Sequence, residues 1–399
     1  MYSKRWLYFV VAVLLLSAIM REGSLLIIGV LAGMALGTAW LWNRYVLAGV
    51  QYERVFSQTR VFPGEKVDIS TRVTNRKLLP LPWLQMADEF PTRLPLTKGK
   101  LAVTSESAIG LLSHLVALRW YERVSWLHQI DAVARGYYAF GPLTITSGDM
   151  FGIFTSREER QEQSFLIVYP RVVPLERLGL PSKQPFGEMR SPQRIFEDPS
   201  RTMGIRDYQR GDGFKRIHWK ATARRQSLQV RVYEPTATPQ LAIFLNTSTF
   251  EHFWDGIDTH TLEAAISVAA SLAQYALDAG YATGLFANAP LFHGDQTMRV
   301  RPSSSPQQLT VILESLAKLN TFALLTIEEV IEAEMPRLPW GATLVVVTAV
   351  ITPALVSVLA RLREAGRQTV LVTFGDTSAR DDLQGILAYT IRGEQLLSA

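Results

Sequence analysis

The sequence predicts a multi-domain chain with two N-terminal transmembrane helices, an all-β sandwich domain and a C-terminal α/β doubly wound domain. Three observations predict it. Two long apolar runs open the chain, short alternating segments broken by Gly and Pro follow to about residue 170, and beyond Pro239 apolar strand segments alternate with amphipathic helical ones. The boundaries are 1–46 for a transmembrane helical hairpin, 50–170 for the sandwich, 171–238 for a connector and 239–399 for the α/β domain. At 399 residues there is chain enough for several cores. The absence of Cys excludes disulfides, thiolate zinc sites and thiol catalysis. None of the six His residues stands in a His-x-x-x-His spacing, so a dedicated metalloenzyme site is not expected.

The hairpin comes first. Trp6 to Met20 is apolar apart from Ser17, Arg21-Glu22-Gly23 makes a turn, and a second run spans Ser24 to Trp42. The first run is short for the ~20 residues of a membrane span, and with Lys4 and Arg5 ahead of it a secretory signal is the alternative. The hairpin is preferred, because Ala18-Ile19-Met20-Arg21 carries no small-x-small cleavage pattern and a longer apolar run follows at once. Trp6, Tyr8, Trp40, Trp42 and Tyr45 would all lie at one membrane face. Lys4, Arg5, Arg44 and Arg54 flank the hairpin, which predicts a multi-pass protein of the inner (plasma) membrane with its soluble domains in the cytoplasm. Gly29, Gly33 and Gly37 recur every fourth residue, either as a helix-packing seam or because Gly is common in membrane helices.

The sandwich is read from turns and alternation. Pro63-Gly64 is a turn, after which Val67, Ile69 and Val73 alternate with polar neighbours as a half-buried strand requires. From Arg135 to Phe154, glycines and Pro142 mark tight turns between short strands. Leu180 to Pro199, with four Pro, reads as an exposed connector.

In the α/β domain, Leu241–Leu245, Tyr281–Phe286, Thr343–Val347 and Thr369–Thr373 are buried strands. Leu262–Ala279, Pro306–Leu319 and Pro353–Glu364 are the helices between them, which implies a parallel sheet covered on both faces.

The charge is local. From Arg201 to Arg231 nine Lys/Arg stand against two Asp, a charge of +7 in a chain whose total is +5. Within this stretch Gly211-Asp212-Gly213 is a turn, with Asp212 placed to cap a helix from Phe214 to Ala223. Phe214, Ile217 and Ala221 would share a face of that helix, and Leu228, Val230 and Val232 alternate as a strand.

Asp207-Tyr208-Gln209, Gly211-Asp212, Ile217 to Arg224 and Leu228 to Arg231 together resemble the signature of the bacterial family called domain of unknown function 58. Arg135-Gly136-Tyr137-Tyr138, Phe140-Gly141-Pro142, the Gly148-Asp149 turn and the membrane hairpin resemble it too. The resemblance implies a von Willebrand factor A-like C-terminal domain and association with MoxR-type AAA ATPases and transglutaminase-like membrane proteins. It implies no known reaction. An A-domain holds magnesium with Asp-x-Ser-x-Ser at the end of its first strand; here Asn246, Ser248 and Phe250 stand in that pattern, and the later acidic position is Thr348 followed by Ala349 and Val350. A degenerate site at Asn246, Ser248 and Thr348 that holds no metal is expected, and no cofactor.

The basic motif has two readings. Arg206, Asp207, Tyr208, Gly211, Asp212, His218, Trp219, Lys220 and Arg224 form a docking surface for an acidic partner, or Arg206, Arg224 and Asp212 pair internally to lock two domains together. His218 reads as an ordinary packed histidine and Trp219 as a packing anchor between elements. Nucleic acid is not the expected partner, since no nucleic-acid-binding fold signature accompanies the charge. No Walker loop, Gly-x-Ser-x-Gly elbow or His-Glu-x-x-His occurs, and Gly375-Asp376-Thr377-Ser378 reads as a strand-end turn. The expected function is a membrane-anchored, non-enzymatic adaptor or scaffold, with a ligand- or metal-binding module on the rim of the A-like domain as the alternative.

Overall fold

A computed structural model of the protein describes residues 3–20, 23–98, 102–103, 109–181, 186, 197–209, 212–235, 239–374 and 386–391. The chain divides into two compact units, Met1–Tyr169 and Pro170–Ala399.

The first unit opens with α1 (Ser3–Met20) and α2 (Gly23–Tyr45). Among the described residues only α2 is long and apolar enough to cross a membrane. This corrects the expected pair of spans: the apolar part of α1, Tyr8–Met20, is too short for a hydrocarbon layer about 30 Å thick. The two helices pack on each other, and a Cβ on Gly29 would come within 2.6 Å of Leu14 Cδ2. Gly33 lies in ordinary contact range of Val10, whereas Gly37 has nothing near it, so two of the three glycines make the seam.

Three sheets follow. Lys66–Asn75 is flanked by Val50–Phe56 and Arg123–Asp131; Leu81–Pro91 lies between Ile109–Leu118 and Leu143–Gly148; Ser164–Val168 lies between Arg60–Val61 and Gly136–Phe140. Lys66–Asn75 buries every second residue, including Val67, Ile69 and Val73, as its alternation predicts. One core gathers Ile69, Phe90, Ile130 and Phe140 from all three sheets. A second gathers Val50, Leu84 and Ile145 around Val46, the fully buried residue that follows α2, with Trp42 packed against it. The end of α2 is thereby tied into the β-rich region. Lys77 Nζ tightens the tie, donating to the carbonyl oxygens of Tyr45 (2.8 Å), Ala48 (2.6 Å) and Val46, where a helix leaves its acceptors unpaired and favours a cation.

Between the sheets lies a buried ion pair. Arg54 and Asp88 are 2% and 3% exposed, and the guanidinium donates to both Asp88 oxygens and to the Phe140 carbonyl. Tyr52 Oη completes the shell, 2.6 Å from Asp88 Oδ2.

The glycines of the 135–154 stretch carry backbone constraints. Gly141, before the cis peptide to Pro142, has φ +92°, and a Cβ there would collide with the Glu162 carbonyl oxygen. Gly141→Ala is expected to destabilise this unit by about 1–3 kcal/mol, measured as a lower urea midpoint at unchanged slope. A Cβ on Gly148 would strike the Phe154 carbonyl oxygen. Asp149 closes that turn, accepting from the N–H groups of Phe151 (2.6 Å), Ile153 (3.3 Å) and Phe154 (2.5 Å).

The second unit is built on a six-stranded sheet in the order Thr297–Ser303, Ala282–Pro290, Gln240–Leu245, Thr343–Thr348, Thr369–Phe374, Leu387–Ile391. All neighbours are parallel except the first pair. That antiparallel edge strand was not read from the sequence, whose charged Arg299 and Arg301 hide the apolar alternation. Ala242, Phe244, Leu344 and Val346 share a core with helices Ile327–Glu334 and Pro353–Glu364, while Leu241, Ile243 and Leu245 point to the opposite face, on which helix Thr259–Asp278 packs. Both faces are covered, which is why these strands read as unbroken apolar runs. The helix Ile327–Glu334 was missed, although its Thr326/Glu329 capping box stands in the sequence.

The exposed connector of Leu180–Pro199 is corrected in part. Leu180 and Phe186 are buried, and Phe186 meets Tyr275 and Tyr281 edge-on, so this segment supplies core to the α/β domain. Its proline content masked that role, since Pro marks a break in regular structure and says nothing of burial.

Candidate functional site

The basic motif folds as an antiparallel hairpin, Glu197–Asp207 paired with Gln229–Pro235, carrying an insertion between its strands. The insertion holds a 3-10 turn, Phe214–Arg216, and α3 (Trp219–Arg225). The single helix expected from Phe214 to Ala223 does not form, because Ile217 bridges to Val230 as extended backbone and interrupts it. His218 then caps α3: its Nδ1 accepts from the Ala221 N–H at 3.0 Å, which places the ring proton on Nε2 in the neutral form. His218 is thus a capping residue, more specific than a packed one.

Asp212 does not cap a helix. It takes a two-pronged ion pair from Arg206, with Nη1 to Oδ2 and Nη2 to Oδ1 both at 2.7 Å, and also accepts from the Gln209 N–H at 2.8 Å. The Arg206 hydrogen bonds, and after them the Gln209 N–H, hold its carboxyl below the usual carboxylate range. A depressed carboxylate contributes stability that is present above its unfolded pKa and is lost as pH falls through the folded one. Acid titration should therefore leave this turn closed through the pH range where an ordinary Asp protonates. Carboxyl carbon NMR of Asp212 checks it; a midpoint at or above the ordinary value contradicts it.

The hub that sequence reasoning missed is Gln229, fully buried. Its side-chain amide donates to Asp207 Oδ1 and to Ser227 Oγ (3.1 Å), its backbone N–H to Thr222 Oγ1 (3.0 Å), and its carbonyl accepts from His218 N–H (2.8 Å). Tyr208 N–H reaches the Leu228 carbonyl at 2.9 Å. The alternation of Leu228, Val230 and Val232 puts Gln229 among the outward residues, so local spacing held no signal of its burial; Leu228 is the exposed one. Gly211 lies outside the described residues.

What the insertion presents outward is apolar and cationic. Trp219 is 67% and Phe214 76% exposed while Ile217 is buried, which corrects the readings of Trp219 as a packing anchor and of Phe214 and Ile217 as sharing one helix face. A helix of only seven residues, interrupted at its start, has too little face to cover both. Lys220, Arg224 and Arg225 are exposed and form no ion pair among the described residues, so Arg206 and Asp212 pair with each other within the hairpin and Arg224 does not join them.

The other expected cluster, Asn246, Ser248 and Thr348, comes together at the carboxyl ends of the parallel strands. Asn246 Nδ2 donates to Thr348 Oγ1 (3.0 Å), and Asn246 Oδ1 accepts from Ser248 N–H (3.1 Å) and Asn288 Nδ2 (2.8 Å). Thr348 Oγ1 donates onward to the Val350 carbonyl at 2.6 Å, and Asn288 Oδ1 accepts from the backbone and hydroxyl of Thr247. This donor set does not fit magnesium. The cluster contains no carboxylate, and the Asn246 carbonyl and Thr348 hydroxyl oxygens are already engaged in hydrogen bonds. Asn288, the centre of the network, was missed; its amide in the apolar run Leu285–Ala289 was the signal. Gly375 to Ser378 lie outside the described residues.

Residues 204–380 match the family described as Protein of unknown function DUF58, so the resemblance read from the motif holds over the motif and most of the α/β domain. The chain is 25% identical over 248 residues to "Uncharacterized protein YeaD" of Bacillus subtilis (strain 168), across 62% of this chain and 58% of that one. Among solved structures, a cohesin module of a family 33 glycoside hydrolase from Clostridium perfringens covers 30% of this chain and 96% of its own, at 7% identity and a TM-score of 0.21. A type II cohesin domain of the cellulosome of Acetivibrio cellulolyticus covers 29% and 94%, at 10% identity and a TM-score of 0.22. Likenesses at these scores carry no argument about fold or function.

Proposed function

We propose that the protein is a membrane-anchored, non-enzymatic adaptor whose basic hairpin docks an acidic protein partner. The partner implied by the family resemblance is a MoxR-type AAA ATPase. The supporting observation is that Trp219 and Phe214 stand exposed beside Lys220, Arg224 and Arg225 on an insertion that hydrogen bonds hold in place. Exposed aromatics ringed by cations on a braced scaffold are the composition of interface hot spots. The detergent-solubilised protein should retain the ATPase under nucleotide-trapping conditions; failure to recover it removes this partner.

In this reading α2 anchors the chain, α1 packs along it, and both units lie on the cytoplasmic side, a side that the basic residues Arg44 and Arg54 after the helix support. A reporter at the C-terminus active only outside the cell would reverse that orientation. The six-stranded unit is read as an A-like domain that has traded its metal for amide hydrogen bonds. A second reading, a ligand-binding rim at the strand ends, is favoured by one observation: Phe250 and Trp254, in the segment following Ser248, are exposed, Trp254 the more so. Tight magnesium binding by calorimetry, lost in Ser248→Ala, would favour that reading over the adaptor.

A further inference from the structure

The pairing registers of the β-rich unit bring four features to one end of it. Val50, just after α2, pairs with Asn75; Leu81 pairs with Leu118; Ser147 pairs with Leu84. The end of α2 and the loops 76–80, 119–122 and 149–154 therefore emerge together. The loop tips carry large apolar side chains turned outward: Leu78 is 74% exposed, Trp120 62%, Tyr121 64%, Met150 66% and Phe151 65%. They are held there. Asn75 Nδ2 donates to the carbonyls of both Leu79 and Arg119 at 2.9 Å, tying the first two loops together, and Asp149 clamps the third through three backbone N–H groups.

The surroundings are cationic. Arg76, Arg119 and Arg123 are exposed and form no ion pair among the described residues, with Glu122 the acidic residue between them. An apolar groove of about 600 Å³, lined by Leu41, Trp42, Tyr45 and Leu79, runs between α2 and the first loop. Trp42 and Tyr45 are three residues apart on α2, about 4.5 Å along its axis, and Lys77 fixes Tyr45 to the first loop. The loop tips thus sit at the level where the aromatic residues of a membrane helix meet headgroups.

We propose that this end of the β-rich unit is a bilayer-seating face: Leu78, Trp120, Tyr121, Met150 and Phe151 enter the interfacial layer of the membrane that α2 crosses, and Arg76, Arg119 and Arg123 meet the phosphates of anionic lipids. This rests on the reading of α2 as a membrane helix. The groove beside Trp42 accepts an acyl chain at the same level. A lipid surface fits because it is continuous with α2, offers apolar depth and negative charge together, and makes no demand for a shaped counterpart.

The chain has no Cys, so a single introduced thiol reports one position. Nitroxide labels are placed on Leu78→Cys, Phe151→Cys, Ile28→Cys within α2 and Leu127→Cys on an exposed strand position, in the full chain reconstituted into phosphatidylcholine vesicles with or without phosphatidylglycerol. Labels at 78, 151 and 28 should be accessible to oxygen and shielded from an aqueous nickel chelate in the anionic vesicles, with the label at 127 open to the chelate. Arg76→Gln with Arg119→Gln should lower the seated fraction of labels at 78 and 151, by about fivefold in the seated-to-unseated ratio for each arginine, in anionic vesicles alone. Shielding at 28 with 78 and 151 open to water overturns the seating face and leaves the anchor standing. A water-exposed label at 28 overturns the anchor, and the seating face with it.

Discussion

Asp88→Asn or Arg54→Met is expected to destabilise the β-rich unit by about 3–5 kcal/mol. Each leaves one member of a buried ion pair without its partner: the guanidinium, 2% exposed, has no water to turn to, and the carboxylate would keep only the neutral donors Tyr52 Oη and the Glu89 N–H. Burial, the largest influence, pushes the Asp88 carboxyl above its ordinary value against the opposing pull of Arg54. A raised carboxyl contributes its stability at low pH and loses it as pH rises through the folded pKa, so at neutral pH the ionised pair is held at a cost. The double replacement Arg54→Met with Asp88→Leu should for that reason recover most of what either single change loses. Urea unfolding in detergent, with hydrogen exchange along Leu81–Pro91 and Val50–Phe56 to localise the effect, provides the measurement. Single variants within about 1 kcal/mol of the parent protein would show that water reaches this pair.

Trp219→Ala is expected to cost about 2 kcal/mol or more in partner binding, roughly thirtyfold in affinity, with no change in unfolding midpoint. The two readouts separate because the indole is two-thirds exposed and contributes little to the core. Lys220→Glu with Arg224→Glu should act mainly on the association rate and its salt dependence, as charges at the edge of an interface do. Arg206→Met is the contrasting variant. It releases Asp212 and the Gln209 turn, and so loosens the hairpin along with binding. Surface plasmon resonance of the ATPase over captured protein measures all three. Undiminished binding by Trp219→Ala, at normal stability, would take the docking role away from this insertion.

Much of the fold was legible because periodicity reports burial. Val67, Ile69 and Val73 alternate because one face of their strand is covered, and Thr343–Thr348 does not alternate because both faces are. The antiparallel edge Thr297–Ser303 escaped notice since an edge strand tolerates charge along its length. In the candidate site the motif was visible as charge and turn residues, but the distribution of roles within it was not. Asp212 stood where a capping residue stands, yet Arg206, six residues earlier, offers a fork that outcompetes a helix N-terminus. Trp219 is a residue type that usually packs, and only its place on a short, interrupted helix leaves it in solvent.

The sequence by itself determined the order of the apolar, β-rich and α/β regions, the membrane-length helix, and the single address of the basic charge, because each is a local property of composition and spacing. Tertiary structure alone decided which charges cancel, which aromatics are exposed and which loops share an end of the β-rich unit. These depend on strand register and on partners far along the chain, such as Arg54 with Asp88 or Asn246 with Asn288 and Thr348. Local spacing carries no record of such contacts, since a one-residue slip in pairing would turn every side chain of a strand to its other face.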